Sequence, residues 1–111
     1  MLPNKSYLLD AFYKWIVDSG ETPYVLVNAD FPGVVVPEEF VDNKNEIILN
    51  TRPEAVRDFK VDLKALTFRA TFGGKIWEIV CPMKAIKAVY AMENGRGIMF
   101  DKSHDEGDSG D

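Results

Sequence analysis

Apolar residues between Tyr7 and Tyr24 recur at helical spacing. Leu8, Phe12, Trp15 and Ile16 make one stripe, and Leu9, Tyr13 and Val17 make a second beside it. Asp10, Lys14 and Asp18 fall four apart and leave only a narrow polar ridge. This pattern predicts a helix that begins near Asn4 or Ser6, either of which can cap it, and ends at Ser19-Gly20. A small domain covers one face of a terminal helix more readily than two. The second stripe therefore predicts another chain, in a helix-mediated homodimer. The alternative is a sheet that curls around the helix and covers both stripes.

Beyond Pro23 the period shortens. Tyr24-Val25-Leu26-Val27 reads as a buried strand, and residues 28–33 read as a loop. Val34-Val35-Val36, closed by Pro37, reads as a short strand running on toward Val41. With the turn cluster 42–45 and the strand Glu46-Ile47-Ile48-Leu49, it predicts a hairpin over residues 34–49. Pro53 to Val56 suits a helical turn with proline at its first position. Phe59, Val61 and Leu63 alternate with polar residues, as do Leu66, Phe68, Ala70 and Phe72. Gly73-Gly74 predicts a two-residue hairpin, with Lys75 to Cys81 returning. After Pro82, Ile86, Val89, Tyr90 and Glu93 fall at helical spacing and predict a second helix over residues 83–93, stopped by Asn94-Gly95. Residues 97–100 read as a last short strand. About six short strands with no βαβ rhythm predict an α+β, mostly β fold: a small, strongly bent antiparallel sheet or partial barrel.

The chain has 111 residues, is 46% hydrophobic and carries a net charge of −5. That size and composition fit one domain with a real core. The charge is uneven. Asp101, Asp105, Glu106, Asp108 and Asp111 against Lys102 give residues 101–111 a charge of −4, which leaves 12 bases and 13 acids in residues 1–100. The expected organisation is a folded domain over 1–100 and the start of a disordered acidic linker over 101–111. A near-neutral domain without a basic stripe argues against nucleic-acid binding. No apolar run is long enough to span a membrane, and the N-terminus lacks signal-peptide organisation. The single Cys81 lies in an apolar run and reads as a buried thiol. Together these features suggest a cytoplasmic protein.

Catalytic chemistry is sparse. The one histidine, His104, lies in the acidic tail, so no Ser or Cys has a histidine base inside the fold. No Cys/His set has zinc spacing, and no glycine loop opens a helix to hold phosphate. The adjacent acids Glu38 and Glu39 point to opposite faces if extended, and they read as a solvated loop. No catalytic residue, metal or cofactor is expected, and a binding module is favoured over an enzyme. Arg69 and Thr71 share the strand face opposite Phe68, Ala70 and Phe72. If that face lines a groove, an extended peptide fits along it; otherwise these side chains simply face water.

The order and spacing of these elements resemble the SspB family, bacterial adaptors that hand ssrA-tagged proteins to the ClpXP protease. The matching pieces are YLL-AFY-W---D-----TPY over residues 7–24, Pro32-Gly33-Val34 with Val36-Pro37, and Ile47 to Asn50. They continue with Phe68, Ala70 and Phe72-Gly73-Gly74, then P---A--A-YA-ENG-G--MF from Pro82 to Phe100. The resemblance covers about residues 7–100. It implies an Sm-like barrel, homodimers paired through the N-terminal helix, and a groove that holds the tag peptide. It also implies a flexible tail whose terminal basic-apolar motif docks on ClpX. The resemblance points to Asn50, Ala55, Val56, Arg69, Thr71 and Phe72 for peptide binding. For the dimer interface it points to Leu9, Phe12, Tyr13, Ile16 and Val17.

Two departures stand out. Family members carry Asn-Ala-Arg-Phe before the glycine pair, where this chain has Arg69-Ala70-Thr71-Phe72. Thr71 holds the arginine position, and Arg69 is expected to compensate from the same face. The sequence also stops at Asp111 without a ClpX-docking motif, so the chain as written is expected to bind tags without delivering them. An Sm-like RNA-binding module is the other reading from the barrel class, and the near-neutral domain argues against it.

Overall fold

A computed structural model describes residues 1–106. Helix α1 (Lys5–Asp18) leads into β1 (Pro23–Asn28), β2 (Glu46–Asn50), β3 (Arg57–Val61), β4 (Ala65–Phe72), β5 (Lys75–Pro82), β6 (Ile86–Ala91) and β7 (Gly97–Met99). A short helix α2 (Lys102–Asp105) follows. All strand pairs are antiparallel. One sheet has the order β2-β1-β6-β7 and the other β3-β4-β5. A single bridge, Val35 to Val80, links the β1–β2 connection to β5. The mostly β, antiparallel architecture expected from the sequence is present. Its strands form two packed sheets without closing into a barrel.

Local chemistry explains the elements that sequence reading placed. Gly20 adopts φ 77° just past α1. Its N–H donates to the Val17 carbonyl, and the Glu21 N–H donates to the Ile16 carbonyl, each at 3.0 Å. That double closure satisfies the last helical carbonyls. Gly73 and Gly74 take φ 55° and 82°, as a tight hairpin requires, and Phe72 pairs with Lys75 across them. Alternation places Val25 and Val27 of β1, Ile47 and Leu49 of β2, and Leu66 and Phe68 of β4 in one core. Leu9 and Ile16 enter that core from α1, which packs on the β1-β6 side of the first sheet.

Two expectations are corrected. Residues 83–93 do not form a helix. A 3-10 turn, Met83–Ala85, precedes β6, and β6 pairs with both β1 and β7. Ile86, Ala88, Val89 and Ala91 are all buried there, which is more burial than the outer side of an amphipathic helix would receive. The second helix of the chain is α2. Nor do residues 34–49 form a hairpin. β2 pairs with β1, with Val25 opposite Leu49 and Val27 opposite Ile47, while Val35 goes to the other sheet.

Residues 101–106 carry local contacts of their own. Asp101 caps α2 by accepting the Ser103 N–H at 2.9 Å, and its own N–H donates to His104 Nδ1 at 3.0 Å. Asp105 accepts from the buried Lys5 ammonium at 3.1 Å, which also lies 5.3 Å from the centre of the Phe100 ring. The acidic tail thus begins with a turn docked on the start of α1. The rest of the expected linker, residues 107–111, lies outside the described residues. Among the described residues no helix is long and apolar enough to cross a membrane.

Candidate functional site

Strand β4 presents Arg69 and Thr71 on its outer face, with Phe68 buried on the inner one. Across β5, Thr71 is opposite Ile76 and Arg69 opposite Glu78; across β3, Arg69 is opposite Arg57. The 3-10 turn Pro53–Ala55 stands beside this face. Together these elements enclose an open cleft of about 620 Å³, lined chiefly by Glu54, Ala55, Arg57, Arg69, Thr71 and Ile76.

The cleft combines apolar surface with two arginines, Arg57 and Arg69, and one acid, Glu54. Ile76 is 77% exposed, an unusual position for an isoleucine with no partner. The Arg69 guanidinium is held by Asp58, with Nε donating at 2.9 Å and Nη2 making a shorter contact to the same oxygen. Asp58 reaches Arg69 because the β3–β4 register shifts between Arg57 and Lys60, where Asp58 takes φ 55°. Such a bulge re-aims a side chain. Arg69 is therefore oriented in advance while its remaining N–H groups stay available at the surface.

The turn that carries Ala55 is anchored from below. Tyr13 of α1 donates its hydroxyl to the Thr51 carbonyl at 2.8 Å, and its ring stacks on Phe59 with 4.4 Å between centroids. Thr51 in turn bonds the Pro23 carbonyl through both its N–H and its hydroxyl, each at 3.0 Å. Burial, with a smaller contribution from Glu54, pushes the Tyr13 phenol up to about 12.

Of the six residues expected at a peptide site, Ala55, Arg69 and Thr71 come together in this cleft. The other three lie elsewhere. Asn50 is exposed and its side chain accepts the Arg52 N–H at 3.1 Å, shaping the turn. Val56 is buried in the core. Phe72 packs its half-buried ring against Phe40 at 5.8 Å. Sequence reading missed Arg57 and Ile76, although the Gly73-Gly74 hairpin fixes a register that puts Ile76 opposite Thr71.

The helix residues divide in the same way. Leu9, Tyr13 and Ile16 are buried against this chain's own sheets, so they take members of both expected stripes inward. Phe12 and Val17 remain half-buried. Leu8, Phe12 and Trp15 form the apolar flank left outside; Trp15 is 48% exposed and meets Phe12 edge-on at 5.6 Å. Lys14 and Asp10 form an ion pair at 2.8 Å along the polar ridge.

The one thiol and the one imidazole of the chain lie away from the cleft. The Cys81 thiol is fully buried, and burial pushes it up to about 12. His104 is tied to Asp101 and Phe100 at the end of the chain. Among the described residues no three His, Cys, Asp or Glu side chains are grouped to hold a metal. The cleft suits recognition of an extended, partly anionic or amide-rich segment by one fixed guanidinium and a small apolar surface.

Comparison with known proteins places this geometry in a lineage. The family model described as stringent starvation protein B matches residues 3–111. A stringent starvation protein B homolog of Haemophilus influenzae is 41% identical over 99 residues, which cover 89% of this chain and 65% of the relative. This chain therefore spans just under two thirds of that relative's length. By that family match the chain belongs to the stringent starvation protein B family.

Proposed function

We propose that this protein is a non-enzymatic adaptor that binds ssrA-type degradation tags and brings tagged proteins to the ClpXP protease in the cytoplasm. Family membership supports the adaptor class. The observation that carries the binding step is the outward cleft in which Asp58 presents Arg69 beside Ala55, Thr71 and the exposed Ile76. The tag lies there in extended form, Arg69 takes its acidic or amide groups, and Ala55 leaves room for its main chain. Arg69 thereby serves in place of an arginine at position 71.

Two copies pair through the outer flank of α1, where Leu8, Phe12 and Trp15 need cover. Of the residues first expected at that interface, only Phe12 and Val17 remain accessible to a partner. Pairing makes the adaptor bivalent and raises the effective concentration of a second tag. Docking on ClpX belongs to the whole protein, through the tail motif that the resemblance implies.

The test is a fluorescence-anisotropy titration with a labelled ssrA-tag peptide and a scrambled control. Saturable binding of the tag alone, near one peptide per subunit, is expected. Arg69→Ala should weaken it by about 1–3 kcal/mol, the range for a hydrogen bond to a charged group. A folded protein that ignores the tag, or binds it equally without Arg69, refutes the assignment.

A further inference from the structure

A second groove opens on the other face of β5. Ile76 lines the tag cleft, and its neighbour Trp77 lines this groove, as alternation along a strand requires. Residues 34–36 and Val41 form its apolar walls, and its volume is about 640 Å³, within the rough 300–1,000 Å³ range of ligand clefts. Its charged lining residues are Asp30, Glu38 and Asp42, with no lysine or arginine among them.

Two features mark this groove as incomplete. The Trp77 indole N–H is buried without an acceptor among the described residues, and such a donor normally finds one. The Asp30 and Glu38 carboxylates have no ion-pair or hydrogen-bond partner among the described residues. Asp42 differs: it accepts the Lys44 and Glu46 N–H groups at 2.8 and 2.9 Å, so its charge is fixed by the turn. Lys44 and Lys87 also stand near enough to stabilise that charge.

The wall itself shows what backbone conformation fits. Val35 and Val80 exchange main-chain hydrogen bonds at 2.8 and 3.1 Å. In antiparallel register the next pair along would be Pro37 and Glu78, but proline has no N–H and here starts a 3-10 turn. Among the described residues no strand continues along β5 past Val80 on that side.

We propose that this groove is a second peptide-binding site, for an extended segment of a partner protein with lysine or arginine alternating with small aliphatic residues. The cations sit against Asp30 and Glu38, the aliphatic side chains lie on residues 34–36 and Val41, and the Trp77 ring, which now buries its N–H, turns to give it to a main-chain carbonyl. The occupant has the opposite charge preference to that of the Arg69 cleft. Binding here is therefore separate from tag binding.

The experiment titrates the protein with a fluorescein-labelled Lys-Val-Lys-Val-Lys peptide and, in parallel, its Glu-Val counterpart. Two-dimensional NMR follows the Trp77 indole N–H, assigned by its loss in Trp77→Phe. Saturable binding of the lysine peptide alone is expected, with a shift of that resonance. It should weaken roughly fivefold or more in the Asp30→Asn, Glu38→Gln double variant, a change in the range expected for losing two exposed ion pairs. The exposed positions of Asp30 and Glu38 let the other NMR resonances report that the variant is folded. A saturating ssrA-tag peptide should leave the lysine peptide bound. Equal binding of both peptides, an unmoved Trp77 resonance, undiminished affinity in the double variant, or displacement by the tag each overturns the proposal.

Discussion

Replacing Tyr13 with phenylalanine isolates one hydrogen bond beneath the tag cleft. The ring is 9% exposed and stacks on Phe59, contacts that phenylalanine keeps. The change removes only the hydroxyl that donates to Thr51. Losing a buried hydrogen bond and leaving its acceptor uncovered costs about 1–2 kcal/mol at neutral pH. The pH dependence supplies a second, independent signature. Tyr13 is pushed up to about 12, whereas the unfolded phenol ionises near pH 10. The folded state therefore keeps a proton that the unfolded chain gives up. That stabilisation is complete below pH 10 and is lost as pH climbs toward 12. A two-unit difference corresponds to a loss of up to about 2.7 kcal/mol. Phenylalanine does not titrate, so the gap between wild type and variant should close, or reverse, near pH 12. Cys81, also pushed up to about 12, weakens both proteins alike over this range and cancels. Urea denaturation at fixed protein concentration, repeated from pH 7 to pH 11.5, measures the gap. A gap that stays constant across that range, or falls below about 0.5 kcal/mol at pH 7, refutes the reasoning.

Three further outcomes are expected. Asp58→Asn keeps a residue type tolerant of the left-handed backbone and loosens the hold on Arg69, so tag affinity should fall about two- to fivefold, the scale of an exposed ion pair; an unchanged or higher affinity by anisotropy would show that Asp58 does not present the arginine. Ala55→Val should weaken tag binding in the same assay while changing stability by less than about 0.5 kcal/mol, because Ala55 is exposed; unchanged affinity removes Ala55 from the site. Gly97→Ala would set a Cβ 2.0 Å from the Val89 carbonyl oxygen and 2.6 Å from Tyr90 Cα, both backbone atoms. Separating β7 from β6 should cost about 1–3 kcal/mol or more, and a thermal midpoint equal to wild type would show that the strands do not pack this closely.

Local signals survived folding, and non-local ones did not. Gly20 and Gly73-Gly74 act through their own backbone freedom, so the end of α1 and the β4–β5 hairpin were legible. The β6 error has a specific cause. The β1–β6 register shifts between Leu26 and Val27, where the partner steps from Ala88 to Ile86. That irregularity buries Ile86, Ala88, Val89 and Ala91, a pattern that breaks strict alternation and imitates helical spacing. The 34–49 hairpin failed because β2 chooses β1 across a long connection, a pairing no local turn encodes. At the cleft, Ala55, Arg69 and Thr71 were reachable through the family resemblance and strand alternation. Arg57 needed the β3–β4 pairing, which sequence alone does not supply. Nor does sequence reveal that the buried face of α1 draws from both apolar stripes. Only packing decides where a helix with so little polar surface turns.

The placement of charge matters more here than its total. Residues 1–100 nearly balance, and that balance argued against nucleic acid. Yet the structure puts Arg57 and Arg69 on one face of the β3-β4-β5 sheet, and Asp30, Glu38 and Asp42 around a groove at the other. Strand β5 separates them, with Ile76 and Trp77 facing opposite ways. A sheet three strands wide thus offers an arginine-bearing cleft and an acid-rimmed groove back to back. Two ligands of opposite charge would be steered to different faces and kept from competing. Salt should weaken both associations, since each relies on exposed charge. Neutralising the charges one face at a time should separate them. Arg69→Ala removes the cation of the cleft and leaves the groove intact, whereas the Asp30→Asn, Glu38→Gln double change removes the attraction of the groove for cations and leaves the cleft intact. Loss of lysine-peptide binding with tag affinity unchanged in the double variant, and the converse in Arg69→Ala, would distinguish two faces from one; loss of both ligands in either variant would refute the separation.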